Sequence, residues 1–316
     1  YVNGTEITAF DTGTRPGNDS TTFDTFNSDK THYIGSNASS NHYLHGYLAE
    51  VVHIDNAQLA PDQFGEFDED SGIWKPIDYK ASGNLGNDAN GGTDWTENNF
   101  AATDQSIDTC TNNFCTMNPL IPTTNATFSE GNCKLAIGGS SIQGAGIGTF
   151  GLTAGKWYWE VKLLADKDNH THGVISELTA ELNANVTAIQ NDVGVTSWIN
   201  GDGGEVVVDG SATTADYGIM AENSIMGIAL DIDNYNISYY NNGSASVTDF
   251  NMSTTRGTIF PLIKMGINCT AEVNFGGCSA FAVSSANSDA DGHGNFEHAP
   301  PSGYFAICSK NLAEYG

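Results

Sequence analysis

The chain has 316 residues, with 38 Asp and Glu against 11 Lys and Arg, for a net charge of −27. That length holds two ordinary domains or one large β-domain. The charge repels phosphate backbones and anionic headgroups, which sets nucleic acid and membrane surfaces aside as partners. No apolar run approaches the ~18 residues of a membrane-spanning helix; "IMGIAL" at 225–230 is typical of the longest. Gly, Asn, Ser and Thr are abundant while Leu, Lys, Arg and Glu are scarce, which favours short strands and turns over helices.

In chain order, "YVNGTEITAF" (1–10) reads as the end of one strand, an Asn3-Gly4 turn and a return strand. "THYIGSN" (31–37) and "GYLAEVVHID" (46–55) have the β-branched and aromatic content of buried strands. "AQLAPDQFGEF" (57–67) reads as a short turn of helix, with Leu59 and Phe64 covering the bottom of a sheet. So few strands make half a sandwich, whose apolar face needs a partner. The expectation is that the rest of that sheet lies ahead of Tyr1.

Residues 68–118 show little periodicity and are rich in Asp, Asn and Gly, with isolated Trp74 and Trp95. They read as an ordered connector pinned by its tryptophans. From 119 onward strand signals return. In "GKWYWEVKLL" (155–164), Trp157, Trp159, Val161 and Leu163 share one face, with Tyr158, Glu160 and Lys162 on the other. Further strands are expected in "DVGVTSWI" (192–199), "EVVVDG" (205–210), "SIMGIALDID" (224–233), "NISYYNNGSASVTDF" (236–250), "IFPLIKMGI" (259–267) and "AEVNFG" (271–276). "VISELTAELNANVTAI" (174–189) reads as a helix or equally as a long loop. The sum is an antiparallel β-sandwich over 119–316.

Six cysteines are present and none forms a C-x-x-C pair, which argues against a zinc ribbon. Cys110 and Cys115 bracket a short loop, Cys269 and Cys278 bracket one strand, and Cys133 and Cys308 are then left for each other. This is one of many possible pairings, and if it forms the protein works outside a reducing compartment. His42 with His45, and His170 with His172, are spaced to meet a metal or to be ordinary packing histidines. No nucleophile elbow, phosphate loop or dinucleotide fingerprint is present.

Three stretches invite a chemical reading. "GEFDEDSG" (65–72) approaches the E-x-D-x-x-E of sandwich glycosidases through Glu66 and Asp68, but Ser71 stands where the acid belongs, and a solvated acidic turn is expected. "NSDADGHGNFEH" (287–298) sets Asn287, Asp289, Asp291 and Glu297 around Gly292, a calcium-like ring of oxygens with its last acid one position early. It is a calcium loop or an acidic insertion. "SWINGDGGE" (197–205) offers Trp198 with Asn200 and Asp202, an aromatic-plus-amide set for stacking on and hydrogen-bonding a sugar, unless Trp198 is core.

"GKWYWEVKL", "MGIALDIDNYNISYYNNG" and "FPLIKMGINCTAEVNFGG", in that order, resemble the SPRY (B30.2-like) domain over roughly 125–310. "YVNGTEITAF…HYIGS…GYLAEVVHIDNAQLAPDQFGEF" is similar to the C-terminal half of a laminin-G/concanavalin-like jelly roll. The combination, with "FGEFDEDSGIWKP", "LGNDANGGTDWTENNFAATDQSIDT" and "PPSGYFAICSKNL", resembles structural proteins of tailed, especially marine, bacteriophages. Where relatives have a compact "Q-R-P-F" after "NFG", this chain has a longer loop, "GCSAFAVSSANSDADGHGNFEHAP".

The resemblance implies an all-β chain of two concanavalin-like antiparallel sandwiches (jelly rolls), the first represented by its C-terminal part at 1–67, then the connector 68–118 and the SPRY sandwich at 119–316. It implies a non-enzymatic virion protein (fibre, tail or capsid decoration) on the particle surface. Its partners would be other virion proteins, further copies of itself in a homo-oligomer, and a host-surface glycan. The rival expectation is a secreted carbohydrate-active enzyme or its binding module.

Overall fold

A computed structural model describes residues 31–36, 43, 44, 48, 51, 59–67, 74–76, 95, 96, 98, 107–109, 111–120, 125–139, 143–165, 169–176, 194–201, 203–213, 215–252, 257–277 and 279–316. The opening hairpin at 1–10, His42, His45, Cys110, Cys278, Asp202 and most of the expected helix or loop at 174–189 lie outside them. The chain divides into two compact units, 1–80 and 81–316.

In the first unit the expected turn of helix is a single 3-10 turn, Pro61–Gln63, closed by the Phe64 N–H on Pro61 O. Pro61 at its start sacrifices no hydrogen bond, because the first N–H groups of a helix have no partner within it. Strands β1 (Gly65–Phe67) and β2 (Trp74–Pro76) pair antiparallel, Gly65 opposite Pro76. The expectation of a buried strand at 31–37 is not met: among the described residues there is one bridge, Ser36 to Tyr43, and Tyr33 and Ile34 are exposed. Leu48, Val51 and Leu59 are exposed as well. Apolar side chains alone do not make a strand buried; a covering layer does.

The second unit is a sandwich of two antiparallel sheets. Sheet A contains β3 (Ala126–Ser129), β4 (Lys134–Ile137), β6 (Lys156–Leu163), β11 (Ile225–Asp231), β12 (Asn236–Asn241), β13 (Ser244–Asn251) and β15 (Thr270–Asn274) in the order β13-β12-β11-β6-β15-β4-β3. The short β16 (Phe305–Ala306) joins β6 in parallel. Sheet B runs β10-β9-β8-β7-β14-β5, with β5 (Gly144–Ile147), β7 (His170–Ser176), β8 (Val195–Ile199), β9 (Glu205–Val208), β10 (Ser211–Ala212) and β14 (Ile259–Met265). A terminal helix α1 (Ser309–Tyr315) follows.

The alternation read in β6 decides the core. Trp157, Trp159, Val161 and Leu163 are buried between the sheets with Met226, Ile228 and Leu230 of β11, facing Val174, Trp198 and Ile263 of sheet B. Residues 112–118 also enter the sandwich: Phe114 bridges to Cys308, Met117 bridges to Gly148, and both side chains are buried. The β12–β13 hairpin turns on Asn242 and Gly243, with φ of 46° and 78°. Two consecutive left-handed residues form the tight turn whose twist matches the strands, hence the Asn-Gly pair. Of the two Trp anchors expected for the connector, Trp95 is 46% exposed and does not act as one.

The other face of β6 departs from a half-buried strand. Tyr158 and Glu160 point away from the main core yet are buried, because the chain after β15 returns across sheet A. Phe296 packs edge-on to Tyr158, ring centroids 5.1 Å apart, with Ala306 and Cys308 in the same apolar cluster. Residues 287–298 thus form a strap over sheet A, and β16 and α1 hold its near end through Asp289.

Candidate functional site

The expected sugar-binding set divides on inspection. Trp198 lies on β8 opposite His172 of β7 and is fully buried, its ring 5.4 Å from that of Tyr239 and 6.1 Å from that of Tyr217. Asn200 is also fully buried. Its Nδ2 donates to Met220 O at 2.9 Å, and its Oδ1 accepts the Met220 N–H at 2.8 Å and the Trp198 indole N–H at 3.4 Å. Neither residue presents a surface to a ligand, which corrects that expectation. An amide carries a donor and an acceptor side by side, and here both close on one backbone residue.

The consequence is a clamped loop end. The Asn200 amide fixes the segment before β11 to the end of sheet B, and glycines let the two loops touch. A Cβ on Gly204, whose φ is 78°, would meet Gly218 O and sit 2.7 Å from the Trp198 ring. Gly218 N–H donates to Gly203 O and to the Asp216 carboxylate. Held this way, the loop exposes Asp216, Ile219 and Glu222, with Ile219 47% exposed.

His170 and His172, i and i+2 on β7, lie on one face and are buried beside this end. His170 Nε2 lies 3.1 Å from Leu164 O, a pure acceptor, so that nitrogen carries hydrogen. His170 Nδ1 and His172 Nε2 lie 3.0 Å apart and share one hydrogen between them. Burial, and then the neighbouring His170, drives the His172 pKa well below the ordinary imidazole value. The facing nitrogens are taken by each other, so the pair does not converge on a metal.

The calcium expectation is corrected on similar grounds. Asp289 is buried, and its carboxylate accepts the N–H groups of Asp291, His293 and Ala306 and the Asn311 amide. Asp291 accepts the Tyr315 hydroxyl, Glu297 takes the N–H and hydroxyl groups of Ser284 and Ser285, and the Asn287 amide donates to Glu297 O. The oxygens face different protein donors rather than a common centre. Among the described residues, no group of three His, Cys, Asp or Glu is set to hold a metal.

The cysteine pairing is corrected too. Cys115 and Cys308 are buried free thiols, so neither the bridge from Cys115 to Cys110 nor that between Cys133 and Cys308 is made. Cys308 packs with Phe114 and Tyr158, whereas Cys133 packs with Ala280 in a separate cluster. Burial pushes the Cys115 thiol up to about 11, which keeps it protonated and inert. The buried Cys269 has its expected partner, Cys278, outside the described residues.

Sequence reasoning missed the role of Glu160. Its Oε1 accepts the His298 N–H at 2.7 Å and the Tyr158 hydroxyl at 3.3 Å; its Oε2 accepts the Glu297 N–H at 3.0 Å and the Asn274 amide at 3.3 Å. Burial pushes its pKa up to about 7 in spite of those donors. The one signal available was an acid amid a strongly apolar strand, which alternation alone assigns to solvent.

With this geometry in hand, the chain is set beside known proteins. Residues 156–278, from β6 to just beyond β15, match the SPRY domain. The structure of the SPRY domain of human HERC1 is similar at 14% identity over 52% of this chain and 99% of its own, with a TM-score of 0.41. The TRIM65 PSpry domain is similar at 14% identity over 51% of this chain and 92% of its own, TM-score 0.43. The stonustoxin structure is similar at 17% identity over 51% of this chain but 27% of its own, TM-score 0.38. No curated protein matches.

Proposed function

We propose that this chain is a non-enzymatic binding protein whose SPRY sandwich presents the clamped end of sheet B to a partner. The observation that carries this reading is the Asn200 clamp: a fully buried amide spends its donor and acceptor on Met220 and so holds Ile219 in the open between Asp216 and Glu222. A preformed loop surface with an apolar tip loses little entropy on binding.

The setting is inferred from the sequence resemblance: a jelly-roll-like segment, a connector and a SPRY sandwich, as in virion proteins of tailed phages. On a particle surface, several copies of one weak site combine into avidity for a host-surface glycan or protein. The test is competition: the purified chain added to the phage and its host, with the chain also printed against a glycan array. Blocked adsorption by the wild type, lost in Ile219→Ser without loss of folding, supports the reading. Turnover of a polysaccharide by the purified chain would hand the protein to the rival enzymatic class.

A further inference from the structure

We propose that the uncharged stretch 31–49 of the first unit is the surface on which two copies of this chain associate, each copy serving as the covering layer for the other. The proposal is independent of the loop-end reading above: it concerns how copies join, and the loop end can hold its partner in a single copy.

The surface starts from the backbone. Ser36 and Tyr43 form an antiparallel bridge, and the Leu44 N–H donates to Gly35 O at 2.7 Å. Gly35 has a φ of 76°, and a Cβ there would lie 3.8 Å from Leu44 and 3.9 Å from Leu48. The two leucines therefore meet at the glycine. Tyr33, Ile34 and Tyr43 adjoin them along the pairing, and all five side chains are about half exposed. With Val51 and Leu59 they make seven of the eleven large apolar side chains exposed among the described residues, in a unit that spans residues 1–80. Exposure so concentrated differs from the scattered kind that every protein surface carries.

Area and charge point to the occupant. Five side chains of roughly 200 Å² each, half in water, present about 500 Å², against the ~800 Å² that each partner gives to a standard interface. The stretch 31–49 contains no Asp, Glu, Lys or Arg, whereas the whole chain carries −27. Interface cores are depleted in charge and enriched in tyrosine, and this surface has both properties. Two copies at −27 repel one another, and a contact lined with carboxylates would add to that at close range. An uncharged patch adds nothing. It also suits a two-fold axis, where a patch must complement itself: apolar against apolar and hydroxyl against hydroxyl do so, and acid against acid does not. A basic partner, which the net charge alone would favour, finds no carboxylate here to pair with.

The experiment is sedimentation velocity on the full chain between about 1 and 100 μM, in about 50 mM and about 500 mM NaCl. A monomer–dimer equilibrium is expected, tightening about tenfold or more at the higher salt as the repulsion between copies is screened. Leu44→Asp and Leu48→Asp each place a carboxylate on both sides of the contact and should weaken the dimer about 100-fold. Leu120→Asp, at an exposed apolar side chain of the second unit, should leave it unchanged. A chain that is monomeric at both salts, a dimer that loosens as salt rises, a dimer that Leu44→Asp leaves intact, or an equal loss in Leu120→Asp overturns the proposal. So does a monomer whose binding to a printed glycan is lost in Leu44→Asp, which gives the surface to a sugar. Both leucines are exposed, so the variants should keep the wild-type melting temperature. Should they not, amide hydrogen exchange in the wild type decides: protection of 33–36 and 43–48 that rises with protein concentration supports the contact, and protection independent of concentration overturns it.

Discussion

Two buried side chains do the same mechanical work at two places on this sandwich, and they do it with different chemistry. Asn200 ties an irregular loop to sheet B, and Glu160 ties an irregular strap to sheet A. The loop offers one residue, Met220, with its N–H and C=O both facing the strand, and an amide answers both. The strap offers two successive N–H groups, and an acceptor-only carboxylate answers those. The amide fastening is indifferent to pH; the carboxylate fastening is not.

The comparison breaks most visibly at the moored end of the strap. Asp289→Ala strips acceptors from three backbone N–H groups and one amide, all brought together by that single carboxylate. A loss of about 4 kcal/mol is expected, measured by urea unfolding. Next, Asn200→Leu leaves the Met220 N–H and C=O unpaired in a dry site and should cost about 2–3 kcal/mol. Asn200→Asp sharpens the point: the Met220 N–H keeps an acceptor, Met220 O faces a carboxylate, and the loop fastening should become weaker as pH rises. An Asn200→Asp protein with the same urea midpoint at pH 5 and pH 8 would count against the contrast.

A second pH contrast lies between His172 and Glu160. The His172 pKa is depressed in the fold, so its share of stability is present above the free imidazole value and is lost as pH falls. Glu160 has the opposite sign, since its raised pKa removes stability as pH rises through about 7. Thermal melts should show a maximum between the two limits. His172→Phe should flatten the acid side alone, and Glu160→Gln the neutral-to-alkaline side alone.

Much of the sandwich was legible in its sequence because side chains alternate along a strand. The β6, β8, β9, β11, β12 and β14 strands fall within the segments their patterns marked, and β13 and β15 overrun theirs by one residue each. What was hidden had a different cause in each place. Strand β5, "GAGI", carries glycines because Ile137 and Met117 side chains fill the space a Cβ would need, so its strand signal was removed by its own packing. Strand β7, "HTHGVIS", reads as polar because two of its buried positions are histidines that meet each other. The loop-end site was half legible: "SWINGDGGE" drew attention to Trp198 and Asn200, but burial depends on Tyr217 and Met220, some twenty residues away. The strap over Glu160 depends on residues about 138 positions along the chain, and no local pattern encodes such a partner.

The outer face of sheet A also carries a contact of ordinary surface strength, which calibrates the two fastenings. Lys134 and Glu272, cross-strand neighbours on β4 and β15, form an ion pair at 2.9 Å with Lys134 about one-third exposed. Solvent screens such a pair, and the long lysine chain loses rotamer freedom in making it, so Lys134→Ala should cost about 0.5 kcal/mol and less in high salt. Glu272 loses its partner in that variant and is itself only 9% exposed, whereas Glu160 is sealed completely beneath the strap. The exposed lysine, not the carboxylate, is what water reaches in this pair. A Lys134→Ala loss as large as that of Asn200→Leu in the same urea series would mean that sheet A is less hydrated at its margin than the exposure of Lys134 implies.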